Sequence, residues 1–137
     1  MSSKLKLRVV SQEAELLDAL VDSVTVPGTE GELTILPYHI SLFTKIDVGE
    51  LIYRSGGQQS SIVVSNGFLN VAPDNNVVVL VDSALHSRDI SVQKAEQAIK
   101  QAHETMRLSQ DRKELLMAEA SLRLALLEIK IARKTNQ

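Results

Sequence analysis

Three features of the sequence predict an α+β fold with its classes segregated along the chain, an N-terminal antiparallel β-sandwich of about eight to ten strands followed by a C-terminal antiparallel two-helix hairpin. Up to Arg88, β-branched residues dominate and turn residues recur. All six Gly and all three Pro lie before Asp89. At the same point the apolar period changes from that of a strand to that of a helix. We therefore read residues 1–88 as the sandwich and 89–137 as the hairpin.

The first strand is announced by Leu5, Leu7 and Val9 alternating with Lys6, Arg8 and Val10, the pattern of a half-buried strand. Further strands are expected at 19–26, 32–36, 40–46, 50–55, 61–65, 68–72 and 76–81. Turn chemistry separates them at Pro27-Gly28, Pro37, Val48-Gly49, Ser55-Gly56-Gly57, Asn66-Gly67 and Pro73-Asp74-Asn75. Short strands recurring about every ten residues read as a sandwich or flattened barrel.

In the second part Val92, Ala95, Ile99, Ala102 and Met106 form one helical stripe, with Asp89 or Ser91 as the N-cap. Leu108-Ser109-Gln110-Asp111 interrupts the stripe, and Asp111 with Glu114 has the spacing of a capping box. A second helix is expected from 111 to about 134, roughly 35 Å long at 1.5 Å per residue. It carries two adjacent stripes, one of Leu115, Ala118, Leu122, Ala125, Ile129 and Ala132, the other of Leu116, Ala120, Leu124, Leu127 and Ile131. One short helix cannot cover both. The excess must meet the sandwich, another subunit, or both.

Fifteen basic against 17 acidic side chains give a net charge of −2, which argues against nucleic-acid or anionic-membrane binding through bulk electrostatics. That small total conceals a split. Residues 1–88 hold six basic and ten acidic side chains, a net −4, and residues 89–137 hold nine and seven, a net +2. With no Cys there is no disulfide framework and no thiolate nucleophile or zinc site. Two Tyr, two Phe and no Trp leave few stacking platforms for single-stranded nucleic acid. The opening Met1-Ser2-Ser3-Lys4-Leu5-Lys6 has the pattern of neither a signal segment nor a transit peptide, so folding is expected from the first residues. No apolar run approaches the 18 or so residues of a membrane span, and membrane association is expected only through a partner.

Catalytic constellations are sparse. His39, His86 and His103 are widely spaced and belong to no metal-ligand motif. Ser65-Asn66-Gly67 lacks the strand-turn-helix setting of a nucleophile elbow, and Ser55-Gly56-Gly57 is too short to cradle a phosphate. The unusual segment runs from Pro27 to His39, where Glu30 and Glu32 flank Gly31 and Pro37 precedes His39 at the next turn.

This segment resembles P-G-x-E-G-E-x-G-I-x-P-G-H of the epsilon-subunit family of bacterial and plastid F-type ATP synthases, equivalent to the mitochondrial delta subunit. Glu30-Gly31-Glu32-Leu33, Ile35, Pro37 and His39 fall in matching places, whereas Thr34 and Tyr38 stand where the family usually has Gly. The likeness continues through Leu42-Phe43-Thr44, Gly49, Gly67-Phe68-Leu69-Asn70-Val71 and Val79-Leu80-Val81-Asp82-Ser83-Ala84, with Asn70 where Glu is common. It implies a sandwich of about ten strands with a helical hairpin. The implied role is a non-catalytic central-stalk subunit that couples the catalytic head and the gamma subunit to the c-ring, with the hairpin regulating or inhibiting ATP hydrolysis.

The resemblance implies that Glu30, Gly31 and Glu32 face the c-ring and His39 the gamma subunit. It makes Arg107, Arg112, Lys113 and Arg123 candidates for contact with the alpha and beta subunits when the hairpin extends. Its ATP motif, I/L-D-x-x-R-A, is matched here only by Ile90, Lys94 and Ala95; Ser91 lacks the Asp carboxylate and Lys94 offers one ammonium for a bidentate guanidinium. These three are candidates for weak ATP binding, and neither a cofactor nor a metal is expected. The expected location is peripheral, on the cytoplasmic face of a bacterial inner membrane or the stromal side of a thylakoid. Residue chemistry alone also leaves open a free-standing scaffold module of another assembly and an unrecognised hydrolase.

Overall fold

The computed structural model describes residues 3–135, which form two compact units meeting between His86 and Ser87. The first unit has ten strands: β1 (Leu5–Ser11), β2 (Glu15–Val21), β3 (Ser23–Gly28), β4 (Gly31–Ile35), β5 (Leu42–Ile46), β6 (Gly49–Ser55), β7 (Gln58–Val64), β8 (Gly67–Val71), β9 (Asn76–Val81) and β10 (Ala84–His86). The second holds a 3-10 turn at Ser87–Asp89, then α1 (Val92–Leu108) and α2 (Arg112–Thr135).

The strands follow the order β10-β7-β6-β3-β5-β8-β9-β1-β2, with β4 beside β3. A single Cα pair, Gly28 with Ile46, joins β3 to β5. The strands thus fall into an inner-facing pair of sheets, β10-β7-β6-β3-β4 and β5-β8-β9-β1-β2, which close over one core. Alternation fills that core from both sides: Leu5, Leu7 and Val9 meet Val24, Val26, Leu51, Ile62, Val64, Leu69, Val77 and Val79, all fully buried. Every pairing is antiparallel except β1 with β9, which run parallel.

Several boundaries differ from the sequence reading. The strand expected at 19–26 is two strands, because the chain leaves the β1–β2 sheet at Asp22 to enter the other. Asp22 donates its backbone N–H to the Arg54 carbonyl at 2.7 Å, while its carboxylate accepts from Lys4 and from the Gly56 N–H. Pro27-Gly28 lies inside β3 rather than in a turn. The Pro27 carbonyl accepts from the Asp47 N–H at 2.8 Å, and the reversal falls one step later at Thr29-Glu30, where Gly28 pairs Gly31. β10 was not anticipated, being only three residues long.

In the second unit Ser91 is the N-cap of α1, its hydroxyl accepting from the Lys94 N–H at 3.2 Å. Asp111 caps α2 by accepting from the Lys113 N–H at 3.0 Å. The reciprocal half of the expected capping box is absent, because Glu114 accepts from the Ser109 hydroxyl at 2.5 Å instead. Ala95, Ala125 and Ile129 form the buried contact between the helices, with Val92, Ala98 and Ile99 packed around it. Small residues in this seam let the backbones approach closely. Burial of the first α2 stripe follows expectation, but Leu116 and Ala120 of the second are exposed.

Candidate functional site

The sandwich positions its candidate residues through register. Gly28 pairs Ile46, Ile46 pairs Gly67, and Gly67 pairs Val81, so these strand ends line up at one end of the unit. The residues that follow them, Glu30 and Glu32, Asp47 and Asp82, collect there as an acidic end. Glu30, Gly31 and Glu32 are exposed at its tip. Gly31 takes φ 126°, a conformation that L side chains avoid, so the tight turn depends on glycine at this point.

A cleft of about 700 Å³ joins this loop to the outer surface of β5 and β8, lined by Glu30, Gly31, Glu32, Lys45, Phe43 and Phe68 among others. On β5, Leu42, Thr44 and Ile46 turn inward while Phe43 and Lys45 are exposed; on β8, Leu69 and Val71 are buried while Phe68 and Asn70 are exposed. Phe43 and Phe68 stack with ring centroids 5.4 Å apart and remain 67% and 41% exposed. Leu80, paired with Phe68 across to β9, is half exposed and extends the strip. Together they form a contiguous exposed aromatic and aliphatic strip, the kind of surface through which proteins meet partners.

His39 lies apart from the cleft, in the loop before β5. Its Nδ1 donates to the Ile40 carbonyl at 2.8 Å, which leaves Nε2 as the ring nitrogen open to a partner. The preceding residues make a tight turn in which the His39 N–H donates to the Leu36 carbonyl at 3.1 Å, and the Tyr38 N–H donates to Asn75 Oδ1 at 2.7 Å.

In the second unit Arg107, Arg112, Lys113 and Arg123 are all exposed. Arg107 pairs with Glu104 at 2.8 Å along α1; the other three make no ion pair among the described residues. Apolar cover thins toward the loop, where Met106, Leu108, Leu116 and Met117 are exposed. Of the ATP candidates, Lys94 is exposed and Ile90 half-buried, while Ala95 sits in the contact between the helices. Ser91 is occupied as the helix cap.

Reasoning from residues alone missed the Phe43–Phe68–Leu80 strip, although a signal existed. Two of the four aromatic residues occupy the outward parity of strands whose inward parity is already apolar, and such two-sided strands either lie buried or meet a partner. Among the described residues no group of three or more His, Asp or Glu is placed to hold a metal ion, and no helix is long and apolar enough to cross a membrane.

The family model "ATP synthase, Delta/Epsilon chain, beta-sandwich domain" matches residues 4–87. An ATP synthase epsilon chain from Syntrophobacter fumaroxidans is 37% identical over 135 residues, covering 98% of this chain and 100% of the relative. One from Dehalococcoides mccartyi is 43% identical over 137 residues, covering 98% and 96%. Among solved structures, a chain of the Euglena gracilis mitochondrial ATP synthase (OSCP/F1/c-ring) aligns with a TM-score of 0.76 at 23% identity, over 89% of this chain and 77% of that one. A chain of the central stalk/c-ring of the Tetrahymena thermophila mitochondrial enzyme aligns with a TM-score of 0.66 at 14% identity, over 96% and 98%. At these identities the structural matches bear on the fold alone.

Proposed function

The chain belongs to the ATP synthase delta/epsilon family as an epsilon chain, a non-catalytic accessory subunit, and from that premise we propose how its two units divide the work. The sandwich docks on the gamma subunit through the Phe43–Phe68–Leu80 strip and the His39 loop that precedes β5. It presents the acidic loop at Glu30, Gly31 and Glu32 to the c-ring. Bound in this way, the chain works as part of the rotor, peripheral to the membrane on its cytoplasmic or stromal side.

The observation that carries this reading is the stacked, exposed Phe43–Phe68 pair in one cleft with the acidic loop. Hydrophobic contact supplies adhesion to one partner, while fixed negative charge at the adjoining tip selects a basic surface on another. A subunit that couples two bodies needs two unlike contact surfaces on one rigid unit.

The hairpin is the regulator. Its apolar side chains near the loop and its basic residues Arg112, Lys113 and Arg123 are exposed, with Arg107 paired only to its own helix neighbour. Such a hairpin has the surface to leave one site and lie against another, extended toward an acidic surface of the alpha and beta subunits, where it inhibits hydrolysis.

Reconstitution with the remaining subunits tests both assignments. A chain ending at Ser87 should still assemble and should raise ATPase activity, whereas Phe43→Ser in the full chain should reduce incorporation by about tenfold or more. Unchanged activity on truncation sinks the regulatory role; normal incorporation of the Phe43 variant sinks the docking surface.

A further inference from the structure

Tyr38 holds a backbone conformation that its own fold does not reward. The turn from Leu36 to His39 has Pro37 second, Tyr38 third with φ 68°, and a hydrogen bond closing first to fourth, the signature of a type II turn whose third position suits glycine. Among the described residues the other non-glycine with positive φ is Asn75, a type that tolerates this region. A tyrosine does not. Its side chain is 76% exposed, so burial offers no compensation. The Tyr38 N–H bond to Asn75 would be donated equally by glycine. Its hydroxyl shares a 2.6 Å hydrogen bond with the Ser3 hydroxyl in an exposed setting, where water competes.

The neighbours are exposed too. Leu36 and Ile40 flank Tyr38 at alternate positions, Ile40 at 79%, so one short turn presents three large apolar side chains to solvent. The loop leads into β5, where Phe43 begins the aromatic strip, and the bond to Asn75 fixes it beside the turn between β8 and β9. The turn therefore sits at the β8–β9 turn, at one end of the sheet whose outer face carries the strip. A rigid aromatic ring with a polar tip is the side chain most often found as an anchor at the centre of a protein interface.

We propose that Tyr38 is a specificity-determining anchor, a strained turn residue whose ring fills an apolar pocket on the gamma subunit, with Leu36 and Ile40 closing around it. This rests on the docking of the sandwich on gamma proposed above. Strain held in the free protein is then an investment in contact, because the turn presents the ring at low conformational cost to the bound state.

The test compares the full chain with its Tyr38→Gly and Tyr38→Phe variants in thermal unfolding and in binding to purified gamma subunit. Tyr38→Gly should unfold a few degrees higher, because the strain is relieved, yet bind gamma about tenfold or more weakly. Tyr38→Phe should bind within about threefold of the parent, since it keeps the ring. The proposal is overturned if Tyr38→Gly binds as the parent does, if it unfolds at a lower temperature, or if Tyr38→Phe loses as much binding as Tyr38→Gly. A parent chain that does not bind gamma overturns the docking assignment itself, an outcome distinct from any of these.

Discussion

At Gly67 a Cβ atom would lie 1.9 Å from the Leu80 carbonyl oxygen and 2.7 Å from Val81 Cα, both of them backbone of the adjoining strand. No flexible side chain stands between, so relief requires β8 and β9 to separate at the acidic end. Gly67→Ala should therefore cost about 3 kcal/mol or more in urea unfolding, well beyond an ordinary surface substitution. Tyr38 is the opposite case, since its left-handed backbone costs roughly 1–2 kcal/mol that glycine would not incur. The Lys4–Asp22 pair carries a pH signature. The Lys4 ammonium, and then the Gly56 N–H, hold the Asp22 carboxyl below its ordinary value. The folded state thus releases that proton more readily than the unfolded one. The stability the pair contributes is complete above the ordinary carboxylate range and is lost as pH falls below it. Lys4→Ala should flatten this part of the acid-unfolding curve and leave the pH 6 to 8 region level; identical curves for parent and variant would contradict the assignment. None of these details was visible in the sequence, because each depends on what a distant strand brings alongside.

Among the elements, those legible in advance were the ones whose period persists. Ten residues or more of helical spacing in α1 and α2 outweighed any local ambiguity, and their caps at Ser91 and Asp111 followed from side-chain chemistry. The β2–β3 boundary failed for a physical reason. Alternation reads straight through Asp22, and only the polar contacts of that residue reveal the change of sheet. Pro27 misled in a similar way, because a proline is tolerated in a strand where its missing N–H is not needed. Within α2, partial burial pushes the Glu128 carboxyl above its ordinary value. The folded helix therefore favours the protonated form, and stability is lost as pH rises through that raised value. Glu128→Gln should stabilise the hairpin at neutral pH and change little at pH 3, followed by helix circular dichroism on heating. Equal melting of the two proteins at neutral pH would show that the carboxylate is solvated after all.

For the whole molecule, a net charge of −2 describes neither unit. The sandwich gathers Glu30, Glu32, Asp47 and Asp82 at one end, while the hairpin exposes Arg112, Lys113 and Arg123. Removing the hairpin takes away positive charge together with exposed apolar surface, which is why truncation after Ser87 should change regulation and leave assembly intact. The charged parts of the candidate site were readable in order along the chain, from Glu30 to Arg123. Its adhesive part was not, since Phe43, Phe68 and Leu80 become neighbours only when β5, β8 and β9 pair. The parallel pairing of β1 with β9 sets a schedule for making the protein. Lys6 lies opposite Asn76 and Ser11 opposite Val81, so β1, already paired with β2, waits some 70 residues of synthesis for its second neighbour. Until then the sheet β5-β8-β9-β1-β2 stays open and its aliphatic residues are unguarded, whereas α1 and α2 pair through contacts close in sequence. Chain order thus makes closure of this sheet a late event relative to β1, and the pairing of the two helices a local one.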